Sequence, residues 1–235
     1  MALDLATGVT LRLAFKAGRI AEYKMHTHMA QEVVKAGQTL GRQEYGWNAV
    51  LRQRTLAVEA DGSGHVVTVN EPQGSPEELQ VAGVPIQRQV VYTHMTPVGN
   101  IVETSGPDSG AAFSFPEEPV REGQEWTGVS KLQLPSFPRP LEAVTHYRLA
   151  GQQDIADFHC VKIEIRSEES SVDIPVSEGV MGKLILSSTG VLFFDPEKGV
   201  MVRQELHTRS VPHIADATYE TITKLTQDLG RLSDP

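Results

Sequence analysis

The sequence predicts a mostly β fold: a curved, largely antiparallel sheet of half-barrel or clam-like form, built from two tandem similar modules. Three observations lead there. The dominant hydrophobic period is two, the spacing of a strand with one face turned from water. Certain turn phrases occur twice. A turn followed by an aromatic-led strand stands at Ala17–Tyr23 and again at Glu122–Trp126, and a Pro-containing turn closing on Gly stands at Pro97–Val102 and again at Pro196–Val202. Third, almost nothing reads as a helix. The modules run from about 9 to 104 and from about 112 to 229 inside a single domain, 1–235. The seam between them, Ser105 to Gly110, is short, which favours two halves of one sheet system over two independent domains.

The first strand covers residues 21–34. Tyr23, Met25, Thr27, Met29 and Val33 fall on one face, and Glu22, Lys24, His26, His28 and Glu32 on the other. At about 3.3 Å per residue it would span roughly 45 Å, a length at which antiparallel strands twist and coil. Trp47, Ala49, Leu51, Thr55 and Ala57 alternate with Asn48, Arg52 and Arg54 in the next. Asp61-Gly62-Ser63-Gly64 reads as a hairpin connection. Strands follow at His65–Val69 and Ile86–Met95, with a loop at Glu71–Pro76 between them. The second module carries strands near Trp126–Leu134, Val144–Leu149, Phe158–Arg166, Lys183–Phe194 and Val200–Val211, with a turn at Asp195–Gly199. The last segment supports two readings. Ile222, Leu225, Leu229 and Leu232 recur at helical spacing, with Asp216 as a cap and Gly230 as a stop. Ala217, Tyr219, Thr221, Thr223 and Leu225 alternate, and the threonines prefer strands. The strand is favoured.

Composition narrows the function. A chain of 235 residues with 40% hydrophobic and 22% charged residues can bury a self-sufficient core. A net charge of −9 and the absence of a Lys/Arg run larger than Arg52-Gln53-Arg54 disfavour nucleic acid. No apolar run reaches the length of a membrane-spanning helix. Met1 to Leu5 lacks the pattern of a signal peptide. Taken literally, this places the protein in the cytoplasm; an exported or envelope protein whose signal had been removed would begin in the same way. Cys160 is the sole cysteine, so an intramolecular disulfide and multi-thiolate zinc sites are excluded.

Few residues carry a chemical signature. His26 and His28 lie two apart on one strand face, a workable bidentate geometry for a metal, with a third ligand available from His94, His146, His159 or His207. They equally fit a solvated face shared with Glu22, Lys24 and Glu32, and that reading is preferred. Cys160 falls with Lys162, Glu164 and Arg166 on the more polar face of its strand, without the base that a catalytic thiol needs. The pairs Glu117-Glu118 and Glu168-Glu169 sit at turns, and adjacent strand residues point to opposite faces, so neither forms a local dyad. The Pro-rich run Leu134 to Pro140 reads as a stiff loop. No nucleophile elbow, dinucleotide fingerprint or phosphate loop is present.

The phrase Phe-Ser-Phe-Pro-Glu-Glu-Pro-Val-Arg-Glu-Gly-Gln-Glu-Trp at 113–126, with Gly-Asn-Ile-Val before it and Tyr-Arg-Leu-Ala-Gly at 147–151 after it, is similar to a recurring phrase of uncharacterised bacterial envelope and lipoprotein-like proteins. The resemblance runs from about Leu11 to Leu225. It implies the architecture of the lipoprotein-carrier half-barrels, in which a curved antiparallel sheet wraps an apolar cavity.

The expectation is therefore a non-enzymatic binder of a hydrophobic or amphiphilic ligand, such as a lipid or acyl chain. Its wall would be Tyr23, Met25, Met29, Trp47, Leu51, Trp126 and Leu132, with Leu134 continuing the stripe. Ordinary core is the competing reading of that stripe. No catalytic residue, metal or cofactor is expected. The alternative is an interaction or scaffold protein that pairs through sheet edges or an apolar patch with a protein partner or a second copy.

Overall fold

The alternating segments fold as strands, and a computed structural model describes them over residues 4–36, 38–75, 77, 79, 87–106, 114–132, 141–177, 180–214 and 217–235. In chain order they are β1 (Ile20–Lys35), β2 (Gln38–Val58), β3 (Gly64–Gln73), β4 (Gln89–Met95), β5 (Ile101–Thr104), β6 (Glu125–Leu132), β7 (Leu141–Ile155), β8 (Phe158–Ser167), β9 (Ser170–Ser177), β10 (Val180–Asp195), β11 (Val200–Ile214) and β12 (Ala217–Ser233). All belong to one antiparallel sheet in the order β5-β4-β3-β2-β1-β12-β11-β10-β8-β7-β6, with β9 pairing β10 off that path. The sheet does not close, and the first and last long strands lie side by side at its centre.

Residues 217–233 resolve in favour of a strand: Ala217 pairs with Lys35 and Thr223 with Met29. Threonines at alternate positions gain more from two flanking strands than helical spacing of four leucine-type residues could supply in isolation. Strand β9 was not anticipated from its serine-rich sequence.

The sheet is curled, and two backbone hydrogen bonds require it. The amide of Leu13 donates to Pro97 O at 2.7 Å, and that of Ala14 donates to Gly199 O at 2.9 Å. Pro97 follows β4 and Gly199 precedes β11, so the two acceptors flank opposite sides of the sheet. Were the sheet flat, the five inter-strand steps from β4 to β11 would separate them by roughly 24 Å. Consecutive Cα atoms are only about 3.8 Å apart. Residues 4–16 thus form a strap across the concave side. A second strap, 114–120, joins it: Val9 and Val120 exchange hydrogen bonds, and the Phe115 amide donates to Val98 O at 2.9 Å.

The straps complete the core. Leu11 and Val120 are fully buried beside Leu149, Val161, Ile163, Leu192 and Phe194, and the Phe115 and Phe194 rings meet at 4.8 Å. A smaller cluster on the opposite face holds Cys160, Phe193, Val200 and Val202. Cys160 therefore does not sit on a polar face as its neighbours Lys162 and Glu164 suggested. Near the β10–β11 turn both faces of the sheet are covered, so alternation ceases to separate wet from dry.

Beyond the core, the distal parts of β1, β2 and β12 extend with half-buried and exposed residues. The accessible surface is 13195 Å², above the roughly 10,000 Å² of a compact monomer of this mass. Charged pairs line the convex side, among them Glu22–Arg52 and Arg209–Glu220.

The repeated turn phrases have matching local geometry. Gly18 and Gly123 both take positive φ, 86° and 81°. Gly18 donates to Thr55 O while Thr55 donates to Arg19 O, and Gly123 and Leu149 repeat the pattern through Gln124. The matching is confined to the turns. With β1–β5 on one flank and β6–β12 on the other, the sheet does not show two equivalent modules. Of the features read from sequence, residues 107–110 of the seam, the Pro-rich residues 134–140, Pro76 and Asp216 lie outside the described residues.

Gly199 tests the strap directly. Its φ is 62°, and a Cβ there would meet Ala14 Cβ at 2.3 Å and Ala14 N at 2.4 Å. Gly123 has nothing within 4 Å of that position. Gly199→Ala is expected to cost about 2–4 kcal/mol, from left-handed backbone and overpacking together, and Gly123→Ala about 1 kcal/mol from backbone alone. Urea titration of both variants measures the difference; equal costs would mean that strap and turn are not in contact.

Candidate functional site

Where the first strap passes over the sheet it leaves a cavity of about 140 Å³. Leu13 and Phe15 of the strap, Tyr23 of β1, Val66 of β3, Met95 of β4 and Met201 of β11 supply its apolar wall. Gly64 makes the cavity's rim possible. A Cβ at that residue would lie 2.2 Å from the Phe15 ring, so the ring can lie on the strand only because no side chain is there.

Arg19 is the cavity's charged residue, and its side chain is 7% exposed. Its Nε donates to Asp234 Oδ1 at 2.5 Å and Nη2 to Asp234 Oδ2 at 3.2 Å, while Nη1 donates to Ala14 O at 2.7 Å and Lys198 O at 3.0 Å. Four of the five N–H donors of a guanidinium are thus spent on holding the strap, the β10–β11 turn and the chain's last strand together. Hydrogen bonds from Arg19, then Lys16, hold the Asp234 carboxyl well below the usual carboxylate range. Burial pushes the Tyr23 hydroxyl far above its ordinary value, against an opposing pull from Arg19, so Tyr23 is neutral at physiological pH. The cavity is an apolar chamber whose one cation is already neutralised.

Of the anticipated wall residues, five share one face of adjacent strands. Tyr23 pairs with Leu51 and Thr27 with Trp47, which sets Met25, Met29 and Trp47 in a patch above the cavity. Tyr23 lines the cavity and also packs in the core; Leu51 packs against that core. Met25, Met29 and Trp47 are half-buried and belong to neither core cluster. Trp126 stands apart on β6. It stacks on Tyr147 at 5.5 Å and its indole N–H donates to Ser114 O at 2.7 Å, pinning the second strap. Leu132 ends β6, opposite Leu141.

The remaining polar candidates are dispersed. His26 bonds Asn48 at 2.8 Å on the convex side, and His28 lies 3.7 Å from Glu44. His146 pairs with Glu168 and His159 with Asp154, and His207 is exposed. Glu117, Glu118 and Glu169 face solvent. Burial, reinforced by Asp195 and then Asp154, pushes the Cys160 thiol up to about 12. Reading the sequence missed two things: the strap, whose alternating Val9, Leu11, Leu13 and Phe15 were the signal that could have found it, and the convergence of His65 and His94 with Glu59.

No protein-family model and no curated protein matches the chain. Among solved structures it is similar to a protein from Bacteroides fragilis described as exported, with a YmcC-like fold: 11% identity, TM-score 0.38, covering 96% of this chain and 100% of that one. It is similar also to one from Parabacteroides distasonis described as a lipoprotein: 12% identity, TM-score 0.39, covering 96% and 99%. A third is Ail, the attachment invasion locus protein of Yersinia pestis: 8% identity, TM-score 0.22, covering 91% and 99%. Likenesses this loose say nothing of what the chain binds.

Two measurements follow. With its pKa held below the unfolded value of about 3.9, Asp234 contributes stability that is present above that pH and is lost as pH falls through the folded-state value. Asp234→Asn should flatten the acid limb of a melting-temperature profile; an unchanged limb would place the pairing outside the folded state's energetics. Cys160 should react with a thiol reagent at pH 8 far more slowly in native protein than in urea, since both thiolate and access are suppressed. Equal rates would contradict its burial.

Proposed function

We propose that this chain is a non-enzymatic binding protein for a small hydrophobic or amphiphilic molecule, held on the concave side of the curled sheet as in a half-barrel. One observation supports the reading above others: Tyr23 lines the apolar cavity beneath the strap, and the same face of β1 and β2 carries the half-buried Met25, Trp47 and Met29 farther along. A cavity of about 140 Å³ is close to the roughly 150 Å³ that accepts benzene and below the about 300–1,000 Å³ of pockets that enclose a drug-sized ligand. The ligand therefore seats one end, such as the tip of an acyl chain, in the chamber and lays the remainder along the patch. Methionine and tryptophan suit that role, being adaptable and amphipathic. Because Arg19 is already neutralised by Asp234, selection rests on apolar burial and not on an anionic headgroup.

A second reading, partner binding by strand addition, is favoured by the edges. Among the described residues β5 and β6 each pair with one neighbour only, and each carries a well-exposed valine, Val102 at 60% and Val129 at 61%.

Native mass spectrometry after incubation with medium-chain fatty acids tests the first reading. One molecule should be retained per chain. Val66→Phe, which grows a ring into the chamber, should weaken retention by about tenfold through the apolar area it displaces while leaving the fold intact. Retention of nothing by the parent protein, or equal retention by the variant, would overturn the reading.

A further inference from the structure

The face of β3 and β4 turned away from the cavity gathers a second set of groups. His65 and His94 are directly opposite one another in the β3–β4 pair, their rings stacked at 4.3 Å and 15°. Val66 and Met95, the next residues on, line the cavity, so alternation turns both imidazoles to the other side. Glu59 enters from the β2–β3 hairpin. That hairpin is held by Gly62 donating to Glu59 O, Glu59 donating to Ser63 O and Ser63 donating to Asp61 Oδ1. Glu59 Oε1 lies 3.0 Å from His65 Nε2 and 3.6 Å from His94 Nε2, and the three possible ligand atoms lie within 4.8 Å of one another.

We propose that Glu59 Oε1, His65 Nε2 and His94 Nε2 form a binding site for a divalent transition-metal ion of the zinc class, with three protein ligands and an open fourth position. Three features carry this. Ligand atoms at about 2.0–2.1 Å in a tetrahedron are about 3.3 Å apart, and the two measured separations bracket that value. His65 Nδ1 is 2.7 Å from Tyr92 Oη. The tyrosine oxygen can accept Nδ1–H when Nε2 gives its lone pair to a metal, the arrangement that outer partners of ligating histidines provide. His94 Nε2 is buried and has no hydrogen-bond partner among the described residues. A hydrogen bond to Glu59 satisfies His65 but leaves His94 with a buried polar atom unmatched, a defect that native structures rarely tolerate without an ion or water. A cation at the convergence point satisfies all three groups at once. Two imidazoles and one carboxylate suit zinc and its neighbours and not calcium or magnesium. Glu59 is 48% exposed, so the fourth position opens to solvent.

The site is independent of the apolar chamber, and its test is independent too. Full-length protein, stripped with a chelator and dialysed, is titrated with zinc alone and with cobalt(II) alone. One equivalent of each should bind, cobalt developing visible d–d absorption. His94→Gln should abolish the cobalt spectrum. Tyr92→Phe, which removes only the orienting oxygen, should weaken affinity by about tenfold or more with melting of the metal-free protein little changed. The double variant His26→Gln, His28→Gln should bind as the parent does. Absence of binding by the parent, parent-like binding by His94→Gln, or loss of binding in the His26/His28 double variant would each overturn the proposal.

Discussion

Two consecutive amides hold this molecule in shape. Leu13 bonds the turn after β4 and Ala14 bonds the turn before β11, so one extended segment ties together flanks that a flat sheet would keep far apart. An antiparallel sheet of long strands coils of its own accord, but coiling alone does not set how far the flanks approach. The strap does. Its side chains convert that geometry into energy, since Leu11 is wholly removed from water among Leu149, Val161 and Leu192. Arg19 then binds strap, β10–β11 turn and C-terminal strand to a single guanidinium.

The same constraint divides the concave side into two regimes. Below and around the strap, apolar side chains pack against Phe194 and Val120 as an ordinary interior. Immediately above, where Phe15 rests on Gly64, the packing gives out and the chamber begins. Farther along β1 and β2 the face stays chemically apolar at Met25, Met29 and Trp47 yet only half-buried. Apolar surface left partly in water favours a partner that covers it, and the proposed ligand rests on those three residues together. On the opposite face, the close β3–β4 pairing sets imidazole over imidazole.

Much of the architecture was legible because burial and strand period coincide. Tyr23 and Thr27 are buried and Lys24 and His26 exposed, as their alternation indicates, and Gly62 and Gly199 take the left-handed conformations that their turns imply. The C-terminal strand was readable because its threonines outweighed its leucine spacing. The strap was not, although Val9, Leu11, Leu13 and Phe15 alternate with Thr10, Arg12 and Ala14, since a period of two reports an extended segment with one dry face and does not say that the segment crosses a sheet instead of joining it. Cys160 was misplaced because alternation reports one wet face, and the second cluster around Phe193 and Val202 removes it. Trp126 groups with Tyr23 and Trp47 as one apolar stripe in the sequence, but which strands stand side by side is not written in local alternation: Trp126 lies on β6 with its indole N–H donating to Ser114 O. The Glu59–His65–His94 convergence depends on the register between β3 and β4, and no local pattern encodes a register set by the whole sheet.

The claim that the strap fixes the curl is tested most directly by amide hydrogen exchange of the native protein, resolved by residue. The account predicts that the Leu13 and Ala14 amides exchange as slowly as those of the central strands β1 and β12, opening only with the sheet as a whole. Exchange of Leu13 and Ala14 at the rate of an unprotected loop, with β1 and β12 still protected, would contradict it.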